Sequence, residues 1–201
     1  KHALIQDAAY QSLLRSVRQA HHGRVAKTLE AHFPETVEVE PELLAQHYAE
    51  AGAAEPAIKY WQRAGQRASE HSAGSEAVAH LTKGLELLHG LPETAERDRL
   101  EIDLQVTLGP PLITMKGWGA AEVEQAYLRT RELCLKLEET AHLLTATWGL
   151  WYYYQHSGSL KTAKGLADEV VALAEQQPDK GQLLQAHHAA AKVVGRGQEG
   201  V

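Results

Sequence analysis

Along the chain, apolar residues recur every three or four positions, the period of an amphipathic helix, and short breaks carrying Gly or Pro interrupt the pattern. The pattern predicts about ten helices. The first two cover residues 2–14 and 17–32, the second closed by Pro34, and Pro41 suits the first turn of a third that ends near Gly52. Residues 55–70 put Ala57, Tyr60, Trp61, Ala64 and Ala68 on one stripe. Residues 75–89, between Gly74 and Gly90, do the same with Ala77, Leu81, Gly84, Leu85 and Leu88. A helix over 94–108 should break or kink sharply at Gly109, Pro110 and Pro111, because proline lacks a donor and clashes with the preceding turn. Gly117, Trp118 and Gly119 then form an exit loop. Four further helices are expected near 121–136, 141–156, 160–176 and 181–194, with links at Gly158 and Pro178. Links this short make neighbouring helices antiparallel.

Composition agrees with helix and argues against sheet. Ala, Leu, Glu, Gln, Lys and Arg, which lose little rotamer freedom in a helix, dominate over Ile, Val, Phe and Thr. Twenty Lys and Arg against 26 Asp and Glu give a net charge of −6, and the basic residues are dispersed, so no nucleic-acid partner is expected. No apolar run approaches the ~18 residues a membrane span needs, and the first ten residues lack the shape of a signal peptide. A single cysteine, Cys134, excludes an internal disulfide and a thiolate zinc site, which fits a reducing, cytoplasmic setting. Opening at Lys1 in mid-element and closing in the Gly-rich 195–201, the chain reads as an excerpt from a longer protein.

Small and large residues alternate at fixed distances from Leu44 onward: Leu44, Ala45, Tyr48, Gly52, Ala57, Trp61 and Ala64. Ala45 and Ala57 let two helices approach, Tyr48 and Trp61 fill the seam, and Gly52 allows the turn. These seven positions resemble the tetratricopeptide repeat, a helical hairpin of about 34 residues. A second copy reads Leu150, Tyr154, Gly158 and Ala163, with large and small exchanged at Trp151 and Ala167. A looser half-copy reads Ala126, Thr130 and Leu133, and a last copy near Ala186 is truncated. Uneven spacing of Ala57, Ala77, Ala126 and Ala163 implies a degenerate array with an insertion near 109–119. The resemblance implies an all-α fold of tandem antiparallel helix pairs, a right-handed solenoid over residues 38–201 with a concave inner face. A closed helical bundle is the rival.

A second resemblance lies in the opening, His2-Ala3-Leu4-Ile5-Gln6-Asp7-Ala8-Ala9-Tyr10 followed by Ser12-Leu13-Leu14, and continues through Arg24 to Ala26, residues 43–52 and 57–68, Leu108 to Pro110 and Glu124 to Cys134. It resembles the region after the nucleotide-binding module of bacterial signal-transduction ATPases, the maltose-regulator-like group and those fused to adenylate or guanylate cyclase domains. That likeness implies a short winged-helix-like helical remnant in residues 1–37, leading into repeats that receive inducers or partner proteins. The sequence holds no phosphate-binding Gly-rich loop with its Lys and Ser or Thr, and no paired aspartates for a two-metal cyclase site. Neither catalysis nor a cofactor is expected of this chain.

Twelve histidines raise a metal reading that their spacing opposes. His21 with His22 and His187 with His188 are adjacent, and neighbours on a helix diverge by about 100°, while ligand pairs lie three or four apart. His71, His80 and His89 are spread too far. Cys134, inside Leu-Cys-Leu on a helix, reads as a buried inert thiol, and Glu138 with Glu139 as a solvated pair.

The densest local feature is the aromatic cluster Trp148, Trp151, Tyr152, Tyr153 and Tyr154. In the repeat register Leu150, Trp151 and Tyr154 face the neighbouring helix. Trp148, Tyr152, Gln155 and His156 fall on the inner wall, which Gln185, His188 and Lys192 extend on one side and Glu42, Gln46 and Glu50 on the other. Two readings stay open: this stripe is a partner-binding groove, or Trp148 and Tyr152 pack on the loop at Trp118. The function expected is a non-catalytic interaction or sensor module of a multidomain cytoplasmic signalling ATPase, holding a protein or peptide partner. A small-molecule inducer sensor and a structural or oligomerisation spacer are the alternatives; oligomeric state is left open.

Overall fold

The computed structural model describes residues 10–176, and every regular element among them is a helix. In order these are α1 (Arg15–His32), α2 (Pro34–Val39), α3 (Pro41–Glu50), α4 (Ala54–Glu70), α5 (Gly74–Leu88), α6 (Ala95–Lys116), α7 (Ala121–Leu137), α8 (Ala141–His156) and α9 (Leu160–Glu175). The chain divides into two compact units, Lys1–Glu93 and Thr94–Val201. No helix among the described residues is long and apolar enough to cross a membrane.

In the first unit α1 packs on α3, α3 on α4 and α4 on α5, each helix meeting its neighbours along the chain, as in a helical repeat. One core joins Ala26 of α1, Val37 of α2, Leu44, Ala45 and Tyr48 of α3, and Ala57, Tyr60, Trp61 and Ala64 of α4. All seven positions that carry the repeat resemblance thus lie in this unit, six of them in its core, with Gly52 at φ +76° making the turn between α3 and α4. The expected boundary near residue 37 falls inside this core, because Ala26 and Val37 pack with Leu44 rather than apart from it. Helix α2 is absent from the sequence reading; Pro34 at its first turn starts it, and burial of Val37 holds it. Between α4 and α5 the approach is closer still. A Cβ at Gly65 would stand 2.4 Å from Leu81 Cγ, so the fully buried Leu81 lies against bare backbone.

The second unit repeats the scheme: α6 packs on α7, α7 on α8, α8 on α9, and α6 also touches α8. Helix α6 departs from expectation. It runs for 22 residues straight through Pro110 and Pro111 and ends at Gly117, whose φ of +84° no helix continues. Buried Leu104, Leu108, Pro111 and Leu112 form one continuous apolar stripe across the prolines, and its packing outweighs the two lost hydrogen bonds. Val106 and Thr107, whose carbonyls lose those donors, are half-exposed residues. The expected insertion over 109–119 therefore shrinks to the link 117–120.

Tyr127 of α7 is the unit's wedge. Cβ atoms built at Gly109 of α6 and Gly149 of α8 would stand 2.4 Å from its hydroxyl and 2.6 Å from its ring. Burial pushes its phenol up to about 12. Farther along, Trp151 of α8 packs on Ala163 and Ala167 of α9, with large and small residues exchanged relative to the first unit.

Candidate functional site

The helical period sets Trp148, Tyr152 and His156 one above another on α8. Trp118, delivered by the link after Gly117, stacks on Tyr152 at 4.5 Å between centroids and 26° between planes, and on His156 at 6.2 Å and 18°. Tyr152 and His156 are themselves stacked at 6.1 Å. The His156 ring is fixed by a 2.7 Å contact between Nδ1 and the Tyr152 carbonyl. These rings form a ladder with two half-buried members, Trp118 and Tyr152, and an exposed one, His156. For Tyr152 the packing on Trp118 is thus the arrangement observed.

The other residues expected on the inner wall fall differently. Trp148 turns edge-on to Trp151 at 5.3 Å and packs among Leu144, Val170 and Ala174, so much of it belongs to the α8–α9 core. Gln155 is a correction: it is buried, not on an open wall, because it lies one helical turn beyond Trp151 on the inward face. Its Nε2 finds no acceptor among the described residues. Glu42 is half-buried and Gln46 and Glu50 are exposed at matching steps along α3, in the first unit. Gln185, His188 and Lys192 lie outside the described residues, as does His187.

Polar chemistry gathers elsewhere. Glu30 of α1 accepts hydrogen bonds from the hydroxyls of Tyr48 of α3 and Tyr60 of α4, the latter at 2.7 Å. These two hydroxyls hold its carboxyl below the usual range, while burial and Glu30 push Tyr60 up to about 12. Glu124 of α7 accepts likewise from Tyr154 of α8 and raises that phenol to about 12. His22 of α1 meets His47 of α3 with their Nδ1 atoms 2.8 Å apart, and its Nε2 lies 2.7 Å from the Tyr10 hydroxyl. One imidazole must donate and the other accept. Burial, then repulsion from His22, lowers the His47 pKa.

Within the second unit α6 carries two buried carboxylates, Asp98 and Glu101, 1% and 4% exposed. Arg129 of α7 grips both oxygens of Glu101, at 2.6 and 3.0 Å, and reaches Glu132 at 2.9 Å. Lys136 stands 2.6 Å from Asp98 Oδ2 as an ion pair, although the approach lacks hydrogen-bond direction. This network ties α6 to α7. Cys134 is buried; burial first, then its contact with Glu139, pushes the thiol up to about 12. Although burial opposes it, the backbone N–H groups of His142 and Ala141 and the Cys134 thiol hold the Glu139 carboxyl low. Glu139 is therefore a cap for α8, not the solvated partner of Glu138. Among the described residues no three His, Cys, Asp or Glu side chains converge as a metal-binding group.

Sequence reasoning named the aromatic stripe but missed the contacts between distant residues: His22 with His47, Glu30 with its two tyrosines, and Arg129 with Glu101. Their local signals are ordinary surface-type residues on amphipathic helices.

No protein-family model matches the chain. Over 153 residues, 75% of its length, it is 28% identical to an uncharacterized protein of Rhizobium meliloti (strain 1021). The chain spans about 15% of the length of that curated relative. Among solved structures it is similar to the crystal structure of BtubC (BKLC) from P. vanneervenii, with a TM-score of 0.58 and 13% identity over 90% of this chain and 84% of that one. BtubC is helical-repeat-like, and the likeness is one of fold alone: the chain is an all-helical protein built of successive helix pairs.

Proposed function

We propose that this chain is a non-catalytic interaction module of a longer, cytoplasmic signalling protein, and that it holds a protein or peptide partner. The observation that carries the reading is the ring ladder Trp118, Tyr152 and His156: stacked, partly solvent-facing, and tipped with polar atoms. Such rings bury large areas at small entropic cost and are enriched where partners dock. The relative, of which the chain spans only a small part, supports a place within a multidomain protein. The repeat pattern from Leu44 to Ala64 and the opening motif favour a tetratricopeptide-like region of a signal-transduction ATPase, of the kind joined to nucleotide cyclases. Its mechanism is differential binding: a partner that favours one arrangement of the helix pairs biases the rest of the protein.

Trp118 and His156 are the positions to test, because Trp148 is shared with the core. Affinity capture from the native lysate should retain specific proteins on the intact chain and lose them on a Trp118→Ala, His156→Ala double variant. Equal recovery of every captured protein by both would reject the ladder as the docking face.

A further inference from the structure

Lys59, Arg63 and Arg67 follow one another along α4 at four-residue steps and so share one face, with His71 capping the helix end beyond them. Arg63 and Arg67 line an open cleft of about 330 Å³ together with Glu38 of α2 and the buried Pro41 of α3. The Arg63 guanidinium rests over the Tyr60 ring, 5.3 Å from its centroid. Among the described residues neither arginine stands within 4 Å of a carboxylate oxygen, nor Glu38 of a basic nitrogen, although the Arg63 charge also acts on Glu30 and the Tyr60 hydroxyl. The remaining carboxylate of the cleft, Glu70, is engaged by Gln66, which donates to it at 3.3 Å. Arg67 and Glu38, neither of them ion-paired among the described residues, thus face one cleft beside Arg63 without closing on each other.

We infer that this cleft binds a peptide segment through an acidic side chain seated between Arg63 and Arg67, with an adjacent basic side chain held at Glu38. Side chains one helical turn apart are about 5–6 Å apart at Cβ, so both guanidinium forks reach a single carboxylate. Glu38 and Glu70 in the same lining repel a second negative charge, which favours a carboxylate over a phosphate dianion. The volume lies at the low end for ligand sites, and the cleft is open, which suits side chains reaching in from a partner better than an enclosed metabolite. A chain of net charge −6 disfavours polyanions in addition. This site goes beyond the aromatic ladder and stands or falls independently of it.

The test is a titration of the whole, ¹⁵N-labelled chain, reading the side-chain Nε signals of Arg63 and Arg67 at constant ionic strength. Three probes are compared: N-acetyl-glutamyl-lysine amide, its glutaminyl counterpart, and inorganic phosphate. The glutamyl peptide should shift both signals saturably, and the glutaminyl peptide should bind about tenfold more weakly. Arg67→Ala should abolish the shift at Arg63. Glu38→Gln, at an exposed position, should weaken the glutamyl-lysine peptide while leaving a glutamyl-alanine peptide unaffected. Equal response to the glutamyl and glutaminyl peptides, phosphate matching the peptide, or no saturable shift with any probe would overturn the inference.

Discussion

Gly149→Ala isolates the closest packing in the second unit. The new methyl would stand 2.6 Å from Cδ2 and Cε2 of Tyr127 and 2.7 Å from Cγ, roughly an ångström inside ordinary carbon–carbon contact. A flexible neighbour would yield cheaply, but Tyr127 is a rigid ring, 5% exposed, whose hydroxyl end already lies against the backbone of Gly109. Overpacking of this kind costs about 3 kcal/mol, at the upper end of the usual range. Replacing glycine by alanine inside a helix returns about 1 kcal/mol, so the net loss is about 2 kcal/mol. With Tyr127 already truncated, as in Tyr127→Ala, the ring atoms it would meet are gone, the clash disappears and the same substitution should stabilise by about 1 kcal/mol. Urea unfolding followed by tryptophan fluorescence is the assay, since Trp118, Trp148 and Trp151 all lie in this unit and only Trp61 in the other. The reasoning fails if Gly149→Ala is neutral or stabilising in the natural background, or if its effect keeps the same sign after Tyr127 is truncated.

Three other expectations follow from contacts already described. His47 has a folded pKa below its unfolded value near 6.5, so the folded state binds fewer protons. The stability it contributes is full above that value and falls as pH drops through the folded pKa; urea midpoints of the first unit should decline below pH 6.5, and more shallowly in His47→Gln. Arg129→Ala leaves Glu101 buried with only the longer Arg97 contact of 3.8 Å, and should cost about 2–3 kcal/mol, less than a fully buried pair because Arg129 is about a third exposed. Denaturant titration of the variant checks it, and a loss under about 0.5 kcal/mol would contradict a buried clamp. Cys134, with its thiol raised to about 12, should resist a maleimide at pH 8 in the native chain and react promptly in urea, as mass spectrometry would record.

Helix placement was legible because it rests on local information: α8 spans the expected residues 141–156, and α4, α5, α7 and α9 differ by a residue or so at their ends. The exchange of large and small side chains at Trp151 and Ala167 was legible too, since a seam needs one of each. Pro110 and Pro111 misled, because a proline's local cost is visible in the sequence while the stripe from Leu104 to Leu112 that offsets it depends on α7 and α8. Gln155 misled for a related reason: its polarity marks it for the surface, and only the packing of α8 carries it inside. The division after Glu93 and the cleft at Arg63 and Arg67 join elements by contacts no single helix encodes. The four-residue rhythm from Lys59 to His71 was nonetheless there to be read.

The carboxylate of Glu30 has a mechanical consequence. Held by one phenol on α3 and another on α4, it fixes α1 against both members of the following hairpin at a single point. Creep of α1 by one turn along its neighbours would break both bonds together, so the pair of bonds favours one register of the three helices. Glu124 gives α7 a similar anchor on α8, so each unit has one carboxylate that sets the register of neighbouring helices.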